Sequence, residues 1–308
     1  MPNNLSPHNT PYHGVVVPMI TPVTPAGDLD EPAVRRVIDY LIRGGVNGIF
    51  ILGTTGEAAS VPPAMRLRLA ALTIEQTAGR AMVYAGISHN CLANSVEAAQ
   101  AFFQLGVDVV VAHLPSYYDL NPAEQEAYYL ALSRRIDGPL MLYNIPSTTH
   151  MSLPIEVIAR LSKQPNIVGL KDSENNPTRL TQVMETLGGR PDFAILTGVT
   201  ALSAQALWLG AHGTVPSLGN LAPGLCQKLY DRVLEGCPEC VAPYQQQLDE
   251  LGRLVRGQLS LGQSLGALKA VMGALSLCGP DMLPPLQALD QDRQAQIQQQ
   301  FIAWQSQL

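Results

Sequence analysis

The sequence predicts an α/β fold, specifically a (β/α)₈ TIM barrel with a C-terminal helical extension. Short apolar runs rich in β-branched residues recur along the chain, each followed by a longer amphipathic stretch opening with Pro, Ser, Glu or Asn. Glycine and proline breaks separate these units. At 308 residues and 46% hydrophobic composition, the chain has the length and apolar content for eight such units around one core.

The first run, residues 15–20, carries three consecutive valines and leads to a helical stretch at 31–43 that stops at Gly44-Gly45. The second, 48–52, precedes a helix predicted over 62–77 and closed by Gly79. The third run, 82–85, and the fourth, 107–112, are divided at Gly106, and the fourth feeds a helix at 122–135 that ends before Gly138-Pro139. The fifth, 140–143, and the sixth, 167–170, are separated by Pro165; the seventh, 193–196, follows Gly188-Gly189, and the eighth, 213–215, follows Gly210. A doubly wound open sheet would place a Gly-x-Gly-x-x-Gly turn after an early strand, and none follows the first run. Past Asn220 the strand-like runs cease, and helices are expected at 225–234, 242–257, 265–277 and 291–304, with breaks at Cys278-Gly279-Pro280 and Pro284-Pro285. The expected organisation is a flexible segment at 1–13, a catalytic barrel at 14–223 and a helical region at 224–308 that serves as lid or oligomer contact.

A net charge of -6 without a Lys/Arg-rich run argues against nucleic acid as a partner. No uncharged apolar span of membrane length occurs, and residues 1–11 lack a basic region followed by an apolar stretch, so a cytoplasmic location without membrane contact is expected. The five cysteines, few and odd in number, suit free thiols in a reducing compartment. Cys237-Pro238-Glu239-Cys240 has motif-like spacing, but lacks the second pair of a zinc site and the strand-to-helix context of a thioredoxin site. It reads as a connection between helices.

In a barrel of this type, function gathers where strands end. After the second run, Gly53-Thr54-Thr55-Gly56-Glu57 could turn hydroxyls and amides toward a carboxylate, or could be an ordinary capped turn with Glu57 as a first-turn acid of the next helix. The fifth run ends in Tyr143-Asn144-Ile145-Pro146, placing at the barrel mouth a phenol that can relay protons or simply pack. The sixth ends in Lys171-Asp172-Ser173. An amine there is solvated, ion-paired, or desolvated into a nucleophile that attacks ketones to form a Schiff base. The chain has few lysines, and the others fall in helical or loop stretches. One barrel would converge all three groups on one cavity, with the parts needed to activate a 2-oxo acid.

These residues resemble the pyruvate-dependent class I lyases: dihydrodipicolinate synthases, N-acetylneuraminate lyases and 2-keto-3-deoxy-sugar-acid aldolases. The resemblance runs from about Gly14 to about Leu286. It implies that Thr54 and Thr55, with Gly53, bind the pyruvate carboxylate, that Tyr143 shuttles protons and that Lys171 forms the Schiff base. Pro115-Ser116-Tyr117-Tyr118 resembles the family's tyrosine motif, so Tyr117 is expected to enter a neighbouring subunit's site. Gly198 and Val215 match positions whose backbone approaches the keto acid. A homotetramer built as a dimer of dimers, no organic cofactor and no metal are also implied.

Departures from the family pattern bear on the second half of the substrate. Dihydrodipicolinate synthases carry an arginine where this chain has Thr148, which cannot hold a carboxylate by charge. His150, where glycine is common, could read a distal polar group or cap a loop. Ser173 is similar to the hydroxyl found in the lyases, yet Gly198-Val199-Thr200 lacks the acids that bind sugar hydroxyls in some of them. The expected reaction is reversible cleavage of a 2-oxo acid, of the 2-keto-3-deoxy-sugar-acid kind, to pyruvate and an aldehyde. Dehydration, or the dihydrodipicolinate synthase reaction, would use the same Schiff base. A metal-dependent aldolase using His89, His113 and His150, and a non-catalytic keto-acid binder, are the readings from other classes.

Overall fold

The computed structural model describes residues 10–307, so residues 1–9 of the expected N-terminal segment lie outside the described residues. Eight parallel strands close in chain order: β1 (Gly14–Pro18), β2 (Gly48–Ile51), β3 (Met82–Gly86), β4 (Val109–His113), β5 (Leu140–Asn144), β6 (Ile167–Asp172), β7 (Ala194–Thr197) and β8 (Gly213–Thr214). Closure is made by β1 on β8, with Gly14 opposite Gly213 and Val15 opposite Thr214.

Each strand hands on to helices that cover the barrel. These are α1 (Glu31–Arg43), α2 (Pro63–Thr77), α3 (Leu92–Gln104), α4 (Pro122–Ser133), the short α5 (Pro146–Thr149) with α6 (Ile155–Leu161), α7 (Pro177–Leu187) and α8 (Ser203–Trp208). Their starts follow from local chemistry. Asp30 caps α1 by accepting from the Ala33 amide, and Asn121 and Glu124 form a reciprocal capping box at α4. After β8 come α9 (Pro223–Leu234), α10 (Pro238–Val255), α11 (Leu261–Ala274) and α12 (Gln291–Gln305).

Strand alternation divides the core into two layers. Val16, Phe50, Tyr84, Val111, Met141, Tyr143 and Leu196 fill the barrel interior, while Val15, Val17, Ile49 and Ile51 pack outward against the helices. The sixth strand is longer than its apolar run because polar residues continue the ladder, with Tyr143 opposite Lys171 and Asn144 opposite Asp172.

Long-range polar contacts tie the later chain to the barrel rim. Asn220 accepts from the Ile20 amide at 3.1 Å and donates to the Pro18 carbonyl at 2.9 Å, joining the segment after β8 to the end of β1. Glu57 is not a first-turn helix residue. It sits in a turn before α2 with φ of 56°, buried, its carboxylate 2.5 Å from Lys269 Nζ on α11. Lys269 also donates to the Asp281 carbonyl, and the Leu283 amide donates to Glu57.

The cysteine expectation needs correction. Cys237 and Cys240 are joined as a disulfide, leaving Cys91, Cys226 and Cys278 free. The pair does lie in the connection from α9 to α10, but at a helix start: Cys237 is the residue before α10 and Cys240 is in its first turn. Three residues of separation and a tight helical turn bring the two side chains together, a proximity that cysteine counting does not reveal.

Replacing one partner of the Glu57–Lys269 pair leaves a buried charge without compensation. Lys269→Met should cost about 3–5 kcal/mol in denaturant unfolding, and Glu57→Gln on top of it should recover part of the loss. A cost for the single variant no larger than that of an ordinary surface substitution would mean the pair does not hold this loop.

Candidate active site

Lys171 lies on the inward face of β6, 4% exposed. In a parallel ladder the inward residues of successive strands form layers, and this layer sets Tyr143 beside Lys171 and Leu196 on its other side. The amine rests 3.9 Å from the centroid of the Tyr143 ring and 4.7 Å from that of Phe50. Burial pushes the amine below its ordinary value of 10.5, against the opposing influence of Tyr143.

Among the described residues no acid pairs with the amine. Asp172 follows Lys171 directly, but strand alternation turns its side chain outward, where Arg179 of α7 holds it at 2.9 Å and Asn144 donates to it at 3.0 Å. Glu174 is taken up by the same Arg179, with Asn144 and Ser152. The alternative of an ion-paired strand-end lysine therefore does not describe this residue.

Around Lys171 a cavity opens at the C-terminal rim of the barrel. One lobe, about 310 Å³, brings together Lys171, Tyr143, Thr54, Thr55, Ser173, Gly198 and Val215. A second, about 610 Å³, is reached past Gly53, Thr54 and Tyr143 and carries Thr148 on its wall. Thr54 Oγ1 stands 3.4 Å from the Tyr143 hydroxyl, so the expected carboxylate clamp and proton relay touch. The loop carrying Thr54 and Thr55 is fixed from behind: Thr21 donates to the Gly56 carbonyl, Glu57 is held by Lys269, and Arg66 donates to the carbonyls of Ala58 and Val61.

Gly198 shows how closely the chain passes. A Cβ there would lie 2.0 Å from Ser173 Oγ and 3.2 Å from Lys171 Cε, so only glycine leaves both side chains their positions.

Two expected residues lie outside the cavity. His150 is exposed, with φ of 60° at the end of α5, where it ends the turn and is not on either lobe's wall. Tyr117 is 77% exposed and stacks edge-on against Tyr118, away from the cavity of its own chain. Thr148 turns its hydroxyl back to the Ile145 carbonyl. Among the described residues no three His, Cys, Asp or Glu side chains are grouped to hold a metal ion. His89 instead faces Arg66 at 2.8 Å.

Several residues of the site were not anticipated from the sequence, and His113 was considered there only as a metal ligand. Phe50 and His113 point inward by alternation with Gly48 and Val111, a signal that the strand pattern contained. His113 stands opposite Tyr143, its Nδ1 donating to the Leu114 carbonyl and its pKa held down by burial, which leaves a neutral ring whose Nε2 is an acceptor. Leu261, Leu265 and Arg256 come from the C-terminal helices, and no local pattern marks them.

A closed parallel barrel with an unpaired, desolvated lysine at the end of its sixth strand defines an enzyme of the class I, lysine-dependent lyase type. The chain belongs to the dihydrodipicolinate synthetase family, whose sequence model matches residues 11–303. It is 31% identical over 265 residues to an uncharacterized DapA-like lyase of Thermofilum pendens, across 85% of this chain and 88% of that protein. Among solved structures it is similar to dihydrodipicolinate synthase from Bacteroides thetaiotaomicron, 30% identical with a TM-score of 0.91, covering 96% of this chain and 99% of that one. It is similar also to YagE, a prophage protein of the dihydrodipicolinic acid synthase family from E. coli K12 solved in complex with pyruvate, 28% identical with a TM-score of 0.90 and the same coverage. No described helix is long and apolar enough to cross a membrane.

The contact at Gly198 yields a direct expectation. Gly198→Ala should displace Ser173 and the lysine stem, slowing imine formation with pyruvate about a hundredfold while the far-ultraviolet circular dichroism stays unchanged. Imine formation at the normal rate would show that the close approach has no bearing on Lys171.

Proposed function

We propose that this enzyme reversibly cleaves a 4-hydroxy-2-oxo acid to pyruvate and an aldehyde through a Schiff base on Lys171. The observation that carries the reading is the buried amine with no acid partner, set between Tyr143 and the Thr54-Thr55 loop. A lysine whose charged form is disfavoured by burial has a larger share of its amine neutral and nucleophilic.

The chain of events follows from the groups in place. The neutral amine adds to the C2 ketone, and loss of water gives the protonated imine. Thr54 and Thr55, with the amides of their loop, receive the C1 carboxylate. Tyr143, left as the phenolate after giving its proton to the departing water, accepts the C4 hydroxyl proton as the C3–C4 bond breaks, the aldehyde carbonyl forms, and the bonding electrons pass into the imine as an enamine. Protonation at C3 and hydrolysis of the imine return pyruvate and free lysine. The iminium is itself the electron sink, so the sequence of steps calls for no organic cofactor or metal.

The same imine would serve condensation or dehydration, and the comparisons with a synthase and with YagE do not separate these outcomes. Cleavage is favoured by Thr148, which has no charge to hold a second substrate's carboxylate at the position used by the synthases, and by the hydroxyl of Ser173 on the cavity wall. Tyr117 and Tyr118, exposed and stacked at the rim, fit the reading that Tyr117 completes the relay of a second subunit in a homotetramer working in the cytoplasm.

A panel of 2-keto-3-deoxy acids of differing chain length, scored for pyruvate release, tests the reaction. At least one should be cleaved, and Tyr143→Phe should lower kcat about 10²–10⁴-fold while imine formation persists. Failure to release pyruvate from any of them, alongside condensation of pyruvate with aspartate semialdehyde, would move the enzyme to the synthase reaction.

A further inference from the structure

The smaller lobe of the cavity is lined by Lys171 and also by residues of the C-terminal helical region, Arg256 among them. Among the described residues, Lys171 and Arg256 are the only lysine or arginine on its wall, and no acid is among them. The acids nearest in sequence and space are engaged elsewhere: Asp172 and Glu174 with Arg179 behind β6, and Glu57 with Lys269. Arg256 takes part in none of the ion pairs among the described residues. Its Nη2 donates to Ser217 Oγ at 2.6 Å, which fixes the side chain against the turn that follows β8.

An arginine anchored by one donor presents the rest of its planar fork, a geometry matched to a carboxylate. Ser147, Ser173 and Ser264 line the same lobe. The lobe thus sets one guanidinium on the same wall as the Lys171 amine, with neutral hydroxyl residues beside them. Thr148 removed the charge from one wall, while Arg256 brings one to another from an element more than eighty residues past the strand that carries Lys171.

Resting on the Schiff-base reading above, we propose that Arg256, positioned by Ser217, binds a second carboxylate at the far end of the substrate. The preferred substrates are then 2-oxo dicarboxylic acids, with the oxo-acid end at Lys171 and Thr54-Thr55 and the distal carboxylate at Arg256. Cleavage of such a substrate gives pyruvate and an aldehyde that itself bears a carboxylate.

Imine formation separates this proposal from the choice of reaction, since it needs no bond cleavage. 2-Oxoadipate and 2-oxohexanoate have the same chain length and differ in the terminal group, a carboxylate against a methyl. Each is titrated against the full-length enzyme with borohydride reduction, and the adduct on Lys171 is counted by mass spectrometry. The dicarboxylate should half-saturate at a concentration about ten- to a hundredfold lower, and Arg256→Met should abolish that preference without changing labelling by 2-oxohexanoate or pyruvate. Ser217→Ala, which removes the anchor and keeps the charge, should weaken the preference only in part. Equal labelling by the two acids, or equal losses for both in Arg256→Met, would overturn the subsite and leave the Schiff-base reading standing. Absence of any adduct with pyruvate itself would overturn both.

Discussion

The site depends on desolvation of one amine without a counter-charge. Burying an ammonium is costly unless it is paired, and pairing would have quenched its nucleophilicity. The fold avoids pairing through strand alternation. Lys171 points into the barrel, and its acidic neighbour Asp172 points out to Arg179. The faces of Tyr143 and Phe50 offer the amine weak attraction, less than a carboxylate would give and less than burial takes away. Gly198 leaves room beside the stem of Lys171, where a Cβ would come within 3.2 Å of its Cε, and Leu196 lies opposite on the next strand.

A second constraint binds the C-terminal helices to the chemistry. The loop carrying Thr54 and Thr55 turns through Gly56 and through Glu57 at positive φ, a conformation that a non-glycine residue adopts only when held. Lys269 of α11 and the Leu283 amide do the holding. A buried ion pair contributes little net stability over an apolar pair, so its value here lies in fixing geometry. The same helix supplies Leu261 and Leu265 to the cavity wall, and the residue after α10 supplies Arg256. The helical region is therefore continuous with the site.

Much of this was legible in the sequence because it was local. The eight strands, their order and the inward groups at their ends follow from period-two alternation and from glycine and proline breaks. Lys171, Tyr143, Thr54 and Thr55 line one cavity. Residues that escaped notice depend on contacts across the chain: Glu57 meets an amide 226 residues away, and Lys269 was one of several lysines set aside as helical. Glu57 read as a helix-start acid because composition near α2 gave no hint of a partner on α11. Cys237 and Cys240 read as free thiols because counting cysteines does not report the distance between two of them. Tyr117, which matches the family pattern, and His150, which departs from it, both lie outside the cavity of a single chain, the former exposed.

What most separates this site from a merely structural lysine is the charge state of Lys171, so its titration is the most direct measurement. With lysine side chains labelled with ¹⁵N, and Lys171→Arg used to assign the signal, the Nζ resonance of the ligand-free enzyme can be followed with pH. The account predicts a midpoint below 10.5, the ordinary lysine value, because burial without an acid partner disfavours the charged form. A midpoint at or above that value would mean that the ammonium is stabilised in place, and the basis for its reactivity would be gone.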